Sequence, residues 1–191
     1  MIYLETERLV LRDWREEDSV VFSRMNRDPK VMEYFLKPLT DTESRDFYER
    51  IRREIDTFGW GLFAAEVKIS GKFIGYIGLH HTNFETDFCP CIEIGWRLCE
   101  NSWGRGYATE GARACLDYAF RQLQLPEIYS FTSLPNRRSE RVMQKIGLQK
   151  IGEFDHPLVP AGHPLLRHVL YRAENCLLYT SDAADDLIGV D

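Results

Sequence analysis

The chain has 191 residues, 44% hydrophobic and 28% charged, which predicts one globular domain with its own core. Its 24 Lys and Arg stand against 30 Asp and Glu, a formal charge of -6, and this balance argues against a nucleic acid partner. No apolar run in the sequence reaches the roughly 20 residues needed to span a bilayer. The N-terminus also lacks the pattern of a secretory signal. We therefore expect a soluble, cytoplasmic protein without a membrane partner.

The cysteines and histidines give no clear metal site. Five dispersed cysteines favour free thiols in a reducing compartment over a disulfide framework. Cys89 and Cys91 have a possible metal spacing, but no second Cys or His pair follows at zinc-site spacing. A metal site at His156, His163 and His168 would lack a supporting carboxylate cluster, so a substrate-loop or structural role is favoured. We predict no metal.

The C-terminal segment 176–191 differs in character from the rest of the chain. It holds four Asp and no Lys or Arg, and it shows no helix or strand period. The run 176–185 resembles a translated sequencing adapter. We therefore expect residues 1–175 to form a single domain and 176–191 to be a non-native tail; a genuine acidic tail is the alternative. Without this segment the chain is close to neutral.

In chain order, the first half predicts a strand, two helices and a three-stranded meander. The strand covers 9–14, and a helix with one apolar face follows from Arg15 and ends at Asp28. A capping box, Thr40 with Glu43, begins the second helix, which Gly59 ends. Apolar segments then predict strands at 60–69, 73–82 and 91–98, the first two joined by a tight turn at 70–72.

The second half predicts a strand-helix-strand unit followed by a helix and two strands. One helix runs from Gly106, and Asn136 and Gly147 are the expected N-cap and C-terminal residue of the next. The strands are predicted at 128–133, 148–154 and 166–171. The resulting order, β-α-α-β-β-β-α-β-α-β-β, describes an α/β fold with a mixed sheet.

A short loop with two glycines connects the strand 91–98 to the following helix. Gly104 and Gly106 allow successive backbone N–H groups to turn towards one point, and the helix N-terminus adds partial positive charge there. Such an arrangement suits a phosphate or pyrophosphate, although two glycines also fit an ordinary turn. The loop lacks the Lys-Ser/Thr pair of a P-loop and the third glycine of a dinucleotide fingerprint, which disfavours both of those sites.

Three motifs follow one another along the chain. They are Thr-Glu-Arg-Leu-Val-Leu-Arg at 6–12, Trp-Gly-Arg-Gly-Tyr-Ala-Thr-Glu at 103–110, and an Asn-x-x-Ser…Lys-x-Gly-Leu pattern at 136–148. Together they resemble the GNAT superfamily of N-acetyltransferases, in particular the branch that includes ribosomal-protein N-terminal acetyltransferases. Asn101 departs from the family's loop, which has Gln or Arg there. The resemblance covers about residues 5–172 and implies a mixed, mostly antiparallel central sheet flanked by helices.

The resemblance implies transfer of an acetyl group from acetyl-CoA to a primary amine by direct attack in a ternary complex. Loop amides would hold the pyrophosphate, and the exposed strand backbone would pair with the pantetheine arm. Arg137 and Arg138 are further candidates for phosphate contacts. The implied cofactor-binding residues are Ile94, Trp96, Leu98, Trp103, Gly104, Arg105, Gly106, Tyr107, Ala108, Asn136, Ser139 and Arg141.

Two residues are candidates for catalysis. In the family the serine at the position of Ser139 lies near the sulfur, where its hydroxyl could protonate the leaving thiolate. Asn136 could contact the cofactor, cap its helix, or do both. Glu93 on the central strand is the candidate general base, with a simple ion pair to an arginine as the alternative. The lesser candidates for the base are His80, His81 and Glu153.

The acceptor and the assembly state are left open. A protein N-terminal amine, a polyamine, an amino acid and an aminoglycoside all fit, because the loops at 28–39 and 156–168 carry no recognisable signature. The protein could be a monomer or a homodimer. No cysteine has a paired histidine in a recognisable motif, so a covalent acetyl-enzyme is not indicated. The alternative function is a non-catalytic acyl-CoA-binding or regulatory module.

Overall fold

The computed structural model describes residues 1–176, so the expected non-native tail lies, apart from Cys176, outside the described residues. The helices are α1 (Asp18–Arg27), α2 (Asp41–Phe58), α3 (Tyr107–Arg121) and α4 (Arg137–Lys145), with a short 3-10 helix at Glu100–Ser102. The strands are β1 (Ile2–Glu5), β2 (Leu9–Arg12), β3 (Leu62–Val67), β4 (Lys72–Thr82), β5 (Cys91–Leu98), β6 (Glu127–Ser133), β7 (Gln149–Asp155) and β8 (Arg167–Glu174).

Every predicted helix and strand is present, with ends that differ by a few residues. Thr40 and Glu43 form the expected capping box, and Gly59 ends α2 in the left-handed conformation. On α2 the buried side chains include Tyr48, Ile51 and Ile55, whereas Phe58 at its end is 49% exposed. No helix within residues 1–176 is long and apolar enough to cross a membrane.

The sequence-based order missed β1 and the short 3-10 helix. β1 is a four-residue edge strand that pairs with β2, with Leu4 opposite Leu11. It is only four residues long and half-buried, which is too short for a clear strand pattern in the sequence. Its place is fixed at its start, where the N-terminal ammonium and the Tyr3 hydroxyl both donate to the carboxylate of Asp13.

The eight strands form one sheet in the order β1-β2-β3-β4-β5-β6-β8-β7. Neighbouring strands are antiparallel except for β5 and β6, which are parallel. A parallel neighbour requires a crossover, and α3 provides it between these two strands. The predicted mixed, mostly antiparallel sheet is therefore confirmed.

Helices cover both faces of the sheet. Tyr76 and Ile77 are neighbours on β4, so their side chains point to opposite faces. The Tyr76 ring lies 6.3 Å from that of Phe22 on α1, whereas Ile77 lies beneath Gly111 of α3. Thus α1 and α2 pack on one face and α3 on the other, and the hydrophobic core occupies both layers.

The N-terminal segment is locked onto the first turn of α3. Glu110 accepts hydrogen bonds from the Thr6 hydroxyl at 2.6 Å and from the Arg8 backbone at 2.8 Å, and its carboxylate forms an ion pair with the Arg8 guanidinium. Burial alone would raise the pKa of Glu110, but these hydrogen bonds outweigh it and hold that pKa below its ordinary value. Arg8 also donates to the carbonyl of Arg105, so this contact fixes the loop before α3.

The close approach of β3 and β4 generates a stability prediction. A Cβ added at Gly78 would lie 2.1 Å from the carbonyl oxygen of Gly61, a backbone atom that cannot move aside. We expect Gly78→Ala to lower the free energy of unfolding by about 2–3 kcal/mol, measured by urea denaturation. The matched control is Gly152→Ala, whose Cβ would meet nothing within 4 Å; it should stay within about 0.5 kcal/mol of the parent. Equal losses in both variants would contradict this packing argument.

Candidate active site

A cleft opens in the sheet where β5 and β6 separate. The two strands share one bridge, between Glu93 and Tyr129, and beside it the Ser130 hydroxyl donates a 2.9 Å hydrogen bond to the carbonyl of Ile94. From Gly95 onward β5 continues to pair with β4 but not with β6. The cavity at this opening has a volume of about 1060 Å³ and is bounded by both strands, α2, the segment after α1 and the first turns of α3 and α4.

The loop between β5 and α3 forms one end of the cleft. Gly104 has φ +69° and Gly106 has φ +82°, conformations that glycine adopts without strain. Gly106 is the N-cap of α3 and supplies no side-chain cap. The first backbone N–H groups of α3 therefore have no side-chain acceptor at the cap and are placed to bind an anion at this end of the cleft.

Trp103 anchors this loop to the end of β5. Its indole N–H donates a 2.8 Å hydrogen bond to the carbonyl of Leu98, and the Arg138 guanidinium lies 4.3 Å above its ring. Arg138 also pairs with Glu33 at 2.9 Å, so α4, the loop and the segment after α1 meet at Trp103. In this arrangement Arg138 serves as a brace for the loop.

The structure brings almost all of the predicted cofactor-binding residues together. Arg105 is the exception, because it is exposed and does not line the cleft, although its carbonyl accepts from Arg8. Ile94 and Leu98 have buried side chains and can offer only their backbone. Arg137 pairs with Glu140 at 2.6 Å and is not part of the cleft lining. The residues that do line the cleft are Ile94, Trp96, Leu98, Trp103, Gly104, Gly106, Tyr107, Ala108, Asn136, Ser139 and Arg141.

Asn136 and Ser139 lie at the start of α4 on the β6 side of the cleft. The Asn136 side chain accepts a hydrogen bond from the Ser139 amide at 3.3 Å and donates one to the Thr132 hydroxyl at 2.9 Å. Asn136 is thus an N-cap, as predicted, and its amide group keeps a second N–H. Among the described residues the Ser139 hydroxyl has no hydrogen-bond partner, which leaves it available to a ligand.

Glu93 and His80 form a pair across β4 and β5. The His80 Nε2 atom lies 3.0 Å from a carboxylate oxygen of Glu93, which also accepts from the Thr82 hydroxyl at 3.0 Å. Burial alone would lower the pKa of His80, but the negative charge of Glu93 outweighs it and raises that pKa above 6.5. The carboxylate and the imidazole therefore form one proton-accepting unit in the cleft.

The two other candidate bases lie in different surroundings. His81 pairs with Glu54 of α2, with Nδ1 3.1 Å from the carboxylate, and its ring stacks on Trp60. Glu153 lies on β7, outside the cleft lining, where it pairs with Lys150 and Arg167. The structure therefore does not bring Glu153 together with the other candidates, because β7 is the far edge of the sheet.

Aromatic and imidazole rings line the other end of the cleft. The rings of His156 and His168 are 4.9 Å apart and pack with Phe84, Phe131 and Phe154. Burial lowers the pKa of both histidines from its ordinary value, which favours their neutral forms. This end offers apolar surface and imidazole hydrogen-bonding groups to a ligand.

The cysteines and histidines considered above as possible metal ligands do not form a metal-binding cluster in the described part of the chain. In the part of the chain that the structure describes, no group of three or more His, Cys, Asp or Glu could hold a metal ion. Cys89 and Cys91 are free thiols with sulfurs 3.8 Å apart. His163 accepts a 3.1 Å hydrogen bond from the amide of Leu165, which shapes the loop between β7 and β8.

Sequence reasoning missed Arg97 and the role of His80 as the partner of Glu93. Arg97 is a cation within an otherwise apolar strand, Ile-Gly-Trp-Arg-Leu at 94–98, and it lines the cleft. That contrast was a visible signal. The pairing of His80 with Glu93 depends on the register between β4 and β5. That register cannot be predicted from a single sequence.

Comparison with known proteins agrees with this geometry. A family model described as Acetyltransferase (GNAT) domain matches residues 8–149. The Bacillus subtilis protein YkkB is 34% identical over 146 residues, covering 76% of this chain and 84% of YkkB. The crystal structure of an acetyltransferase from Agrobacterium tumefaciens is 31% identical with a TM-score of 0.73, covering 90% of this chain and 93% of that one. The ribosomal-protein-S5-alanine acetyltransferase of Vibrio fischeri shares the fold at 19% identity, with a TM-score of 0.71 over 92% of this chain and 98% of that one. The chain therefore belongs to the GNAT family of acetyltransferases, for which acetyl-CoA is the co-substrate.

Proposed function

We propose that this protein, as a single domain over residues 1–175, transfers the acetyl group of acetyl-CoA to a primary amine by direct attack in a ternary complex. One observation carries the proposal: the open edge of β5 and the uncapped N-terminus of α3 meet in the same cleft as the Glu93–His80 pair. The unit formed by β5, the loop and α3 thus supplies both a site for a phosphate-bearing arm and a proton acceptor.

The residues of the cleft fit the acetyl donor. The amides that follow Gly104 suit its pyrophosphate, and Arg141, which lines the cleft and has no ion-pair partner within residues 1–176, suits a further phosphate. The free edge of β5 from Gly95 to Leu98 can pair with the amide groups of the pantetheine arm as another strand would. When bound, acetyl-CoA supplies a reactive thioester.

Three groups of the protein would then act on the reaction. The Glu93–His80 pair removes the proton that the attacking amine must lose. Backbone N–H groups of β5 stabilise the negative charge that develops on the carbonyl oxygen. As the new C–N bond forms and the C–S bond breaks, the Ser139 hydroxyl would protonate the leaving thiolate and regain a proton from water, while the Glu93–His80 pair releases the amine proton to solvent. The products are the N-acetylated amine and the free thiol.

The direct test is release of free thiol from acetyl-CoA in the presence of a panel of amines, including N-terminal peptides, polyamines, amino acids and aminoglycosides. We expect thiol release that depends on the amine, with the acetylated product detected by mass spectrometry. Thermal stabilisation by CoA without acetylation of any amine would instead support a non-catalytic acyl-CoA-binding module.

Loop geometry at the donor end is tested by Gly106→Ala. An alanine at this position would have to adopt an unfavourable positive φ, and its Cβ would lie 3.3 Å from the Arg8 guanidinium. The loop must therefore shift, and the α3 amides lose their alignment. We expect CoA affinity, measured by calorimetry, to fall about tenfold. Gly59→Ala is the matched control, since Gly59 has φ +76° at the end of α2, away from the cleft. Equal CoA affinity in both variants would count against pyrophosphate binding by this loop.

The role of the Glu93–His80 pair is tested by the pH dependence of kcat/KM. In the parent protein Glu93 raises the pKa of His80 from its ordinary value of 6.5. The pH profile of kcat/KM should therefore have a rising limb that is set by this raised pKa. Glu93→Gln removes that negative charge and leaves burial to lower the pKa of His80. The limb should therefore move to lower pH, while the plateau falls about 100-fold.

Glu153→Gln is the control for this change, because Glu153 is an exposed carboxylate outside the cleft lining. It should leave both the limb and the plateau unchanged. An unchanged limb in Glu93→Gln would remove the pair from the proton-transfer step.

A further inference from the structure

Within residues 1–176, Arg97 is a buried cation with no acidic partner. Its residue exposure is 8%, and Nη1 donates a 2.7 Å hydrogen bond to the side-chain oxygen of Asn26. Its Nε atom is buried without any hydrogen-bond partner, and no carboxylate among residues 1–176 forms an ion pair with it. Because an unpaired buried charge is costly, such a group calls for an explanation.

The surroundings of Arg97 are aromatic. Its guanidinium lies 4.1 Å from the ring centroid of Phe35, 5.5 Å from that of Tyr76 and 5.6 Å from that of Phe47. Ring faces attract a cation, but they do not replace a counter-charge. Burial accordingly lowers the pKa of Arg97 from its ordinary value, although a guanidinium stays protonated at neutral pH.

Arg97 and Glu93 share one face of β5. They are four residues apart, which puts their backbones about 13 Å from each other, and both line the cleft. Gly95 lies between them on that face, and a Cβ built there would meet nothing within 4 Å. The strand surface between the proton acceptor and the guanidinium is therefore open to a ligand.

We propose that Arg97 binds a carboxylate of the acceptor, so that the substrates of this acetyltransferase are amines that also carry a carboxylate, such as amino acids. This inference rests on the proposed function. The amine would lie towards Glu93 and the carboxylate towards Arg97, whose fork of N–H groups matches a carboxylate. The bound carboxylate would supply the counter-charge that the described part of the protein lacks.

The competing explanation is a structural one, in which Arg97 only ties α1 to β5 through Asn26. The two explanations differ in their effect on substrate preference. A structural arginine would affect all acceptors alike, whereas a carboxylate-binding arginine changes the discrimination between an acid and its neutral analogue.

The experiment compares kcat/KM for glycine, 4-aminobutyrate and 6-aminohexanoate, each against its own carboxamide. In the parent protein we expect the acid of at least one pair to be preferred by tenfold or more, and Arg97→Gln should reduce that ratio to near one. Arg53→Gln, an exposed arginine of α2 outside the cleft lining, is the matched control and should keep the parent ratio. Arg97→Lys, which keeps the charge but not the fork, should give an intermediate ratio.

A binding measurement separates this inference from the proposed function. With CoA present, thermal stabilisation of the parent protein by the N-acetylated acids should exceed stabilisation by the N-acetylated amides, even if no amine is turned over. Absence of turnover with this preference retained would overturn only the proposed function. Equal kcat/KM for acids and amides together with equal thermal stabilisation by their products would overturn the role of Arg97. An equal loss of kcat/KM for acids and amides in Arg97→Gln would overturn it as well.

Discussion

The separation of β5 from β6 is the constraint on which the rest of the site depends. The two strands are parallel and share only the Glu93–Tyr129 bridge, reinforced by the Ser130 hydroxyl on the carbonyl of Ile94. Because parallel strands end at the same edge of a sheet, the helices that follow them, α3 and α4, begin side by side at the opening. A fully paired β6 would close the free edge of β5 and remove the cleft.

The cleft at this opening has two regions that differ in their chemical groups. On the loop side lie uncapped amides and the glycines at 104 and 106, which suit an anion without requiring a fixed cation. Towards α1 and α2 lie partly buried charged groups, namely the Glu93–His80 pair and Arg97. In a partly buried cleft such charges interact more strongly with a charged ligand than they would in water.

Local features were predictable from the sequence because their causes are local. The capping box at Thr40, the left-handed Gly59 and the N-cap Asn136 each depend on a few neighbouring residues. The loop at 103–108 was likewise predicted by its glycines and the helix after it. What could not be predicted depends on long-range register or docking. His80 reaches Glu93 only through the β4–β5 register, and the surroundings of Arg97 include Phe35 and Asn26, which are distant in sequence.

The N-terminal motif contacts the loop between β5 and α3 and is not part of the cleft lining. Thr6 and Arg8 hold Glu110, the last residue of the second motif, and Arg8 also binds the carbonyl of Arg105 and lies 4.9 Å from the ring centroid of Tyr107. Two of the three motifs are thus parts of one contact and are not independent signs of chemistry. Their joint effect is to hold the loop in the shape that exposes the α3 amides. A segment that does not line the cleft thereby fixes the loop and the first turn of α3, which do line it.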